Sequence, residues 1–404
     1  MRDARTLSET FVARLRQVLG DATPVALHEP EFRGNEWAYV KECIDTGWVS
    51  SVGKFVDTFE AKLAEITGAR HAVAIVNGTA ALEVALRLVG VRQGDEVMTP
   101  ALTFVGTANA VVHCGGVPHF VDSDAATLGM DPTALESHLD RIAERTAEGW
   151  RNRDTGRRIA AILPMHAFGH PVDLDGLMRV ASRYALPIVE DAAESIGSTY
   201  HGRHTGTFGK VGVLSFNGNK TVTTGGGGAI LTDDAGLARL GKHLTTTAKQ
   251  PHKWEFIHDA VAWNYRLPNI NAALGCAQLE RLGDFVRRKR RLAEQYAHAF
   301  EGVEGVSFVA EPPGTHSNYW LCALRLRSID LEARDALLAA ANDAGYHCRP
   351  IWTLMHKLPM YRDNPRADLA VAQSLEASII NLPSSAALAD AGARASAAAA
   401  GGAR

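Results

Sequence analysis

The apolar positions of this chain fall into two rhythms. Leu7, Phe11, Leu15, Val18 and Leu19 recur at helical spacing and predict a helix over 7–19. Thr6, with Glu9 three residues on, fits a capping box at its start. Such a helix would serve as a docking or dimer-packing extension. Helical spacing returns from Arg33 to about Thr46, and again over 55–67 with Phe59 and Leu63 inward. Short continuous apolar runs then appear at 71–76, 96–100, 117–121 and 159–165. They have strand length and little polar alternation, as strands covered on both faces do. Helical stretches separate most of them. Runs of that kind fit an open α/β sheet. Residues 141–158 are polar and charge-rich and read as a surface excursion.

The chain is organised around residues 186–232, LPIVEDAAESIGSTYHGRHTGTFGKVGVLSFNGNKTVTTGGGGAILT. Ile188–Val189 leads into the acidic pair Glu190–Asp191. A second apolar run ends at Asn217-Gly218-Asn219-Lys220, and four glycines, 225–228, precede a third. One carboxylate and one lysine thus stand at the mouths of buried strands, where open α/β sheets collect ligand groups. An amine in a largely apolar pocket sheds its proton more easily and attacks carbonyls, which suggests imine chemistry. An aspartate on a neighbouring strand can keep a pyridine nitrogen protonated, which makes pyridoxal phosphate an electron sink. Ser215, five residues before Lys220, could hold the phosphate. Upstream, Asn77-Gly78-Thr79-Ala80 turns a strand into an apolar helix, and amides at a helix start bind phosphate. Taken singly, each feature has a bland reading: a solvated loop lysine, or an aspartate capping a helix. Together they point to the cofactor.

EDAAES, then G-x-x-G-x-x-G-x-LSF, N-x-x-K and the glycine run resemble the sugar aminotransferases of pyridoxal-phosphate fold type I, the DegT/DnrJ/StrS family. The resemblance runs from about Val25 to Ser385. It implies an aspartate aminotransferase-like fold: a large domain over 25–284 with a mixed, mostly parallel sheet, and a smaller C-terminal α+β domain over 285–385. Residues 1–24 form a helical extension ahead of it, and the alanine-rich tail 386–404 is expected to be mostly disordered. WVSSVGKF, PHKWEF and IWTLMHKLP are most similar to the 4-aminotransferases of legionaminic acid-type biosynthesis.

The resemblance also implies roles. Lys220 binds the cofactor and moves the proton as general acid and base, and Asp191 meets the pyridine nitrogen. Glu194 sits near the cofactor's 3-hydroxyl. Gly78, Thr79, Ala80 and Ser215 hold the phosphate, and Phe104 stacks on the ring, although it would more often be core. Asn264 reaches the phosphate of a partner subunit, which makes a homodimer with shared sites. Trp48, Ser50, Trp254, Trp352 and His356 are candidates for substrate contact, and so is His166 at the end of its apolar run. Packing accounts for each of these six equally well. Arg266 and Arg349 could meet a carboxylate or a diphosphate. The implied reaction takes an amino group from glutamate to a nucleotide-linked 2-acetamido-4-keto-2,6-dideoxyhexose, on UDP or alternatively GDP.

Composition narrows the field. With 46% hydrophobic and 22% charged residues and a net charge of -3, nucleic acid is an unsuitable partner. No run of about 18 apolar residues or signal-peptide core occurs, so a cytoplasmic enzyme with no membrane partner is expected. The five cysteines are odd in number and widely spaced, and the sixteen histidines show no ligand spacing, so no metal is expected. The rivals fit less well. Sugar 3-dehydratases of the family replace the lysine with histidine, and a 3-aminotransferase would act on a 3-keto sugar. A cofactor-binding regulator would need a basic helix-turn-helix before residue 30. The glycine run lacks the GK[ST] ending of a Walker loop.

Overall fold

The computed structural model describes residues 2–390. Seven of the short runs form strands: β1 (His71–Ile75), β2 (Glu96–Pro100), β3 (Val117–Val121), β4 (Ile159–Ile162), β5 (Val189–Asp191), β6 (Val211–Ser215) and β7 (Gly228–Thr232). β1 pairs antiparallel with β7, β7 antiparallel with β6, and β6 parallel with β5. β3 and β4 flank β2, both parallel to it. Parallel bridges from Ile162 to Ile188 and from Met165 to Asp191 join the two groups. The order is therefore β1-β7-β6-β5-β4-β2-β3, with β7 alone reversed. Every residue of β2, β6 and β7 is buried, as expected of strands covered on both faces.

The helices follow from the same patterning. α1 (Arg2–Leu19), α2 (Glu36–Thr46) and α3 (Lys54–Thr67) come before the sheet. α4 (Gly78–Leu88) is almost wholly buried. α5 (Val105–His113), α6 (Pro132–Ile142), α7 (Leu174–Tyr184) and α8 (Ala235–Thr245) complete the layers around the sheet. α9 (Asn269–Glu280) and α10 (Leu282–Ala299) follow one another almost directly. They break at Arg281, whose ψ of 0 leaves the helical range. A second, antiparallel sheet has the order β8 (Val306–Phe308), β9 (Cys322–Leu326), β11 (Ile379–Leu382), β10 (Arg349–Pro350), with α11 (Leu331–Asp343) and α12 (Ala370–Ser378) beside it. No helix among the described residues is long and apolar enough to cross a membrane.

Several expectations need correction. α1 begins at Arg2, so Thr6 lies inside the helix, and a residue there cannot act as the N-cap. Phe11 and Leu15 are fully buried in one core with Leu292, Tyr296 and Leu324, so α1 closes the core of the second sheet. β9 starts at Cys322, after Tyr319 turns the chain at φ +46°. Residues 141–158 are not merely a surface excursion. They form a hairpin, Ala143–Thr146 with Gly149–Asn152, and Asn152 and Thr155 hydrogen-bond the fully buried Glu96. Of the alanine-rich tail, Ala386–Asp390 forms a 3-10 turn with Ala386 and Ala389 buried, not a disordered end. The remainder, 391–404, lies outside the described residues.

The glycines of the central motif work by close approach. A Cβ on Gly212 of β6 would lie 1.9 Å from the carbonyl oxygen of Gly206, and one on Gly228 would lie 2.6 Å from the Asn77 carbonyl carbon and oxygen. Backbone has little room to yield. Gly212→Ala should therefore lose about 1–3 kcal/mol or more of stability. A thermal melt checks this, and an unchanged midpoint would refute it.

Candidate active site

β5 places two successive carboxylates on opposite faces of the sheet, as strand geometry requires. Glu190 turns into the core. It accepts hydrogen bonds from the amides of Gly206, Phe208 and Gly209 at 2.6–2.7 Å and faces His166 Nε2 at 3.1 Å. Burial pushes its carboxyl up, but His166 and these amides outweigh that and hold it below the ordinary range. Asp191 turns the other way, into a cavity of about 430 Å³. Its partners are neutral: the Thr107 hydroxyl at 2.7 Å and the Ala193 amide at 3.1 Å. Burial dominates and pushes the Asp191 carboxyl above its usual range. Among the described residues no cation is hydrogen-bonded to this carboxylate, which offers an acceptor to one in the cavity.

Lys220 follows β6 in the same cavity. Its Nζ lies 3.1 Å from Glu194 Oε1 and 3.8 Å from the centroid of the Trp320 ring. Trp320 is fixed by donating Nε1–H to the carbonyl of Asn219 at 2.8 Å. Glu194 also accepts the amide of Phe168 at 2.9 Å. Burial raises its carboxyl to about 7, against the pull of Lys220 and the Phe168 amide. The lining of the cavity beside Lys220 thus includes an indole face and a buried carboxyl.

At the start of α4, the Asn77 side chain caps the helix by accepting the amide of Ala80 at 2.8 Å. The Ala80 amide, expected at the phosphate, is engaged by this cap. Gly78, Thr79 and Ser215 line the cavity together. A Cβ on Gly78 would come 2.8 Å from Ser215 Cβ, and one on Gly106 2.9 Å from Thr79 Oγ1. These two glycines keep a cradle clear beside the helix start. An anion cradle, an inward carboxylate and a lysine in one cavity are the donor set that pyridoxal phosphate requires at its phosphate, pyridine nitrogen and aldehyde.

The cavity brings together Gly78, Thr79, Phe104, Asp191, Glu194, Ser215, Lys220 and Trp352 from the sequence-predicted residues. His166 is corrected: it is fully buried, one ring nitrogen facing Glu190 and the other accepting the Val172 amide at 3.2 Å. It supports β5 from behind. Arg349, a candidate for an anion, also lines the cavity, and the other candidates do not. Trp48 and Ser50 offer their carbonyls to Asn269, each at 2.6 Å. Trp254 is 70% exposed against His252, and His356 lies in the turn Met355–Lys357. Asn264 is exposed and binds Arg266 at 2.8 and 3.1 Å. Sequence reasoning missed Thr107, Trp320 and Asn381. Thr103 and Thr107, hydroxyls four residues apart at a helix start and 2.7 Å from each other, were a usable signal. Nothing local marks Trp320 or Asn381.

Comparison with known proteins identifies the family. The model of the DegT/DnrJ/EryC1/StrS aminotransferase family matches residues 30–398. GDP-perosamine synthase of Caulobacter vibrioides is 36% identical over 377 residues, covering 92% of this chain and 96% of that protein. The aminotransferase TlmJ of Streptoalloteichus hindustanus superposes with a TM-score of 0.80 at 30% identity, over 93% of this chain and 99% of that one. DesI, solved in the presence of its TDP-sugar product, gives 0.81 at 26% identity over 95% and 94%. With the family matched over most of its length and a fitting cavity, this chain belongs to the DegT/DnrJ/EryC1/StrS aminotransferase family and is a pyridoxal-phosphate-dependent sugar aminotransferase.

Proposed function

We propose that the enzyme moves an amino group from glutamate to C4 of a nucleotide-linked 4-keto-6-deoxy-2-acetamido sugar, with UDP as the carrier, in a pathway of the legionaminic acid type. The observation that carries the chemistry is the meeting of Lys220, Asp191 and the Thr79–Ser215 cradle in one cavity. The similarity of WVSSVGKF, PHKWEF and IWTLMHKLP to legionaminic acid-pathway enzymes supports the substrate. A GDP carrier is the second reading, favoured by the relative named for GDP-perosamine.

In this reading, the bound cofactor supplies an electron sink to the carbon that carries the amino group. Asp191 keeps its ring nitrogen protonated. Lys220 would hold the cofactor and would carry the proton to and from the substrate carbon. Glu194 receives the Lys220 ammonium or the cofactor's 3-hydroxyl. The amides of Gly78 and Thr79 and the Ser215 hydroxyl take the phosphate, and Phe104 covers the ring. Trp352 meets the sugar or base. Asn264 and the loop around Trp254 serve the partner's site in a cytoplasmic homodimer, with Trp48, Ser50 and His356 contributing at the rim.

Lys220→Ala should abolish turnover and leave no cofactor fixed to the protein by borohydride. A variant that still fixes the cofactor and turns over would disprove the assignment. Mixing it with Asn264→Ala subunits tests sharing: mixed dimers then carry one intact site, and activity should reappear. If it does not, the sites are not shared.

Asp191→Asn should fold, since the side chains are nearly isosteric, yet lose a charge-assisted contact worth ~1.5–3 kcal/mol. Single-turnover rates should fall accordingly. Wild-type rates would exclude the pairing with the ring nitrogen.

The substrate is tested by mass spectrometry of the products from UDP- and GDP-linked 4-keto sugars with glutamate. A 4-amino product is expected. Amination of a 3-keto sugar alone would overturn the position and leave the cofactor chemistry standing.

A further inference from the structure

Lys220 and Arg349 are the cationic side chains among the described residues lining the cavity. Lys220 is committed to Glu194 and the cofactor. Arg349 comes from β10 and is held rather than adrift. Its Nη1 donates to Asn342 Oδ1 and to the Cys348 carbonyl, both at 3.0 Å. Asn342 is itself fixed, its Nδ2 donating to the carbonyls of Leu338 at 2.7 Å and Cys348 at 3.1 Å. One nitrogen of the guanidinium is thus anchored, while Nε and Nη2 form the edge that suits a carboxylate or phosphate.

A second observation lies beside it. Asn381 is the cross-strand partner of Arg349 in the second sheet. It lines the same cavity at 3% exposure, and its Oδ1 has no hydrogen-bond partner. A buried amide oxygen left unpaired is costly, so a donor is called for at that point. A ligand that satisfies both residues carries an anionic group next to a hydroxyl or amine.

We infer that Arg349 and Asn381 form the anion-binding subsite of this cavity, recognising a carboxylate or phosphate of a substrate, with Asn342 as the residue that positions the guanidinium. The inference rests on the aminotransferase reading of the site and deepens it. Both substrates of the proposed reaction qualify, since glutamate brings carboxylates beside an amine and a nucleotide sugar brings a diphosphate beside hydroxyls.

The two sources separate because transamination runs in two halves. In single turnovers of the holoenzyme, the cofactor's absorbance follows the glutamate half and the sugar half independently. Arg349→Met should raise the substrate concentration for half-maximal rate by about 10- to 100-fold in one half, the loss expected for a charged hydrogen bond. The rate at saturation should change little, which marks a binding contact rather than a chemical one. A shift in the glutamate half alone identifies a carboxylate, a shift in the sugar half alone identifies the diphosphate, and a shift in both identifies an anchor used in turn. Asn342→Ala and Asn381→Leu should shift the same half in smaller measure. Should Arg349→Met melt early, Arg349→Lys, which keeps the charge and loses the fork, decides the matter. If neither half shifts in a folded variant, or if only the saturating rates fall, the subsite does not exist. A wild-type enzyme inert toward 4-keto sugars would end the substrate reading, while the glutamate half would still test Arg349.

Discussion

Two consecutive buried carboxylates at the end of β5 set the terms for the rest of the molecule. An ionised group taken out of water must find partners or lose its charge. Glu190 solves this with three backbone amides and His166. The amides lie in the segment from Gly206 to Gly209, which can pack so closely on the sheet because Gly212 has no side chain to oppose Gly206. Asp191 is left with neutral hydrogen-bond partners, and a cation in the cavity favours its charged form. The glycine spacing thus serves the support of one carboxylate, and the other carboxylate serves chemistry.

The second sheet completes what the first cannot. Its segment before β9 reaches across to the loops that follow β5. Asn318 donates to the carbonyls of Glu194 and Ile196, and Ser317 to that of Gly169. The same segment ends in Trp320, over Lys220. Behind it, the buried Lys289 of α10 donates to the Trp320 carbonyl at 3.1 Å and to Ser384, and lies 2.9 Å from His28 Nε2. Burial lowers the Lys289 ammonium to about 7. A lysine is a costly residue to bury, and here it ties the N-terminal segment, α10 and the last strand to the wall of the cavity.

The polar residues of the cavity also divide by element. The first sheet supplies the groups suited to a cofactor, all at strand ends or at the start of α4. The second sheet supplies Trp320, Arg349, Trp352 and Asn381. That division separates the groups that fit the cofactor from the wall that the second sheet contributes.

The sequence by itself determined the strands of the first sheet, the order of chemistry-bearing motifs, and the grouping of Asp191, Lys220, Ser215 and Thr79 as a set. These signals are local: an apolar run ends, and the next residues must be at its mouth. It also carried the family, because the motifs span nearly the whole chain. Tertiary structure alone decided which face each strand-end residue takes. His166 stands at the end of its run as the rule says, yet it faces Glu190 and the core, since position along a strand does not state a side. It alone brought Thr107 to Asp191 across 84 residues and Trp320 to Asn219 across 101. It put Arg349 opposite Asn381 through strand pairing that no nearby residue announces. Contacts of that kind depend on how separate elements pack, and a periodicity of two or 3.6 residues holds no record of them.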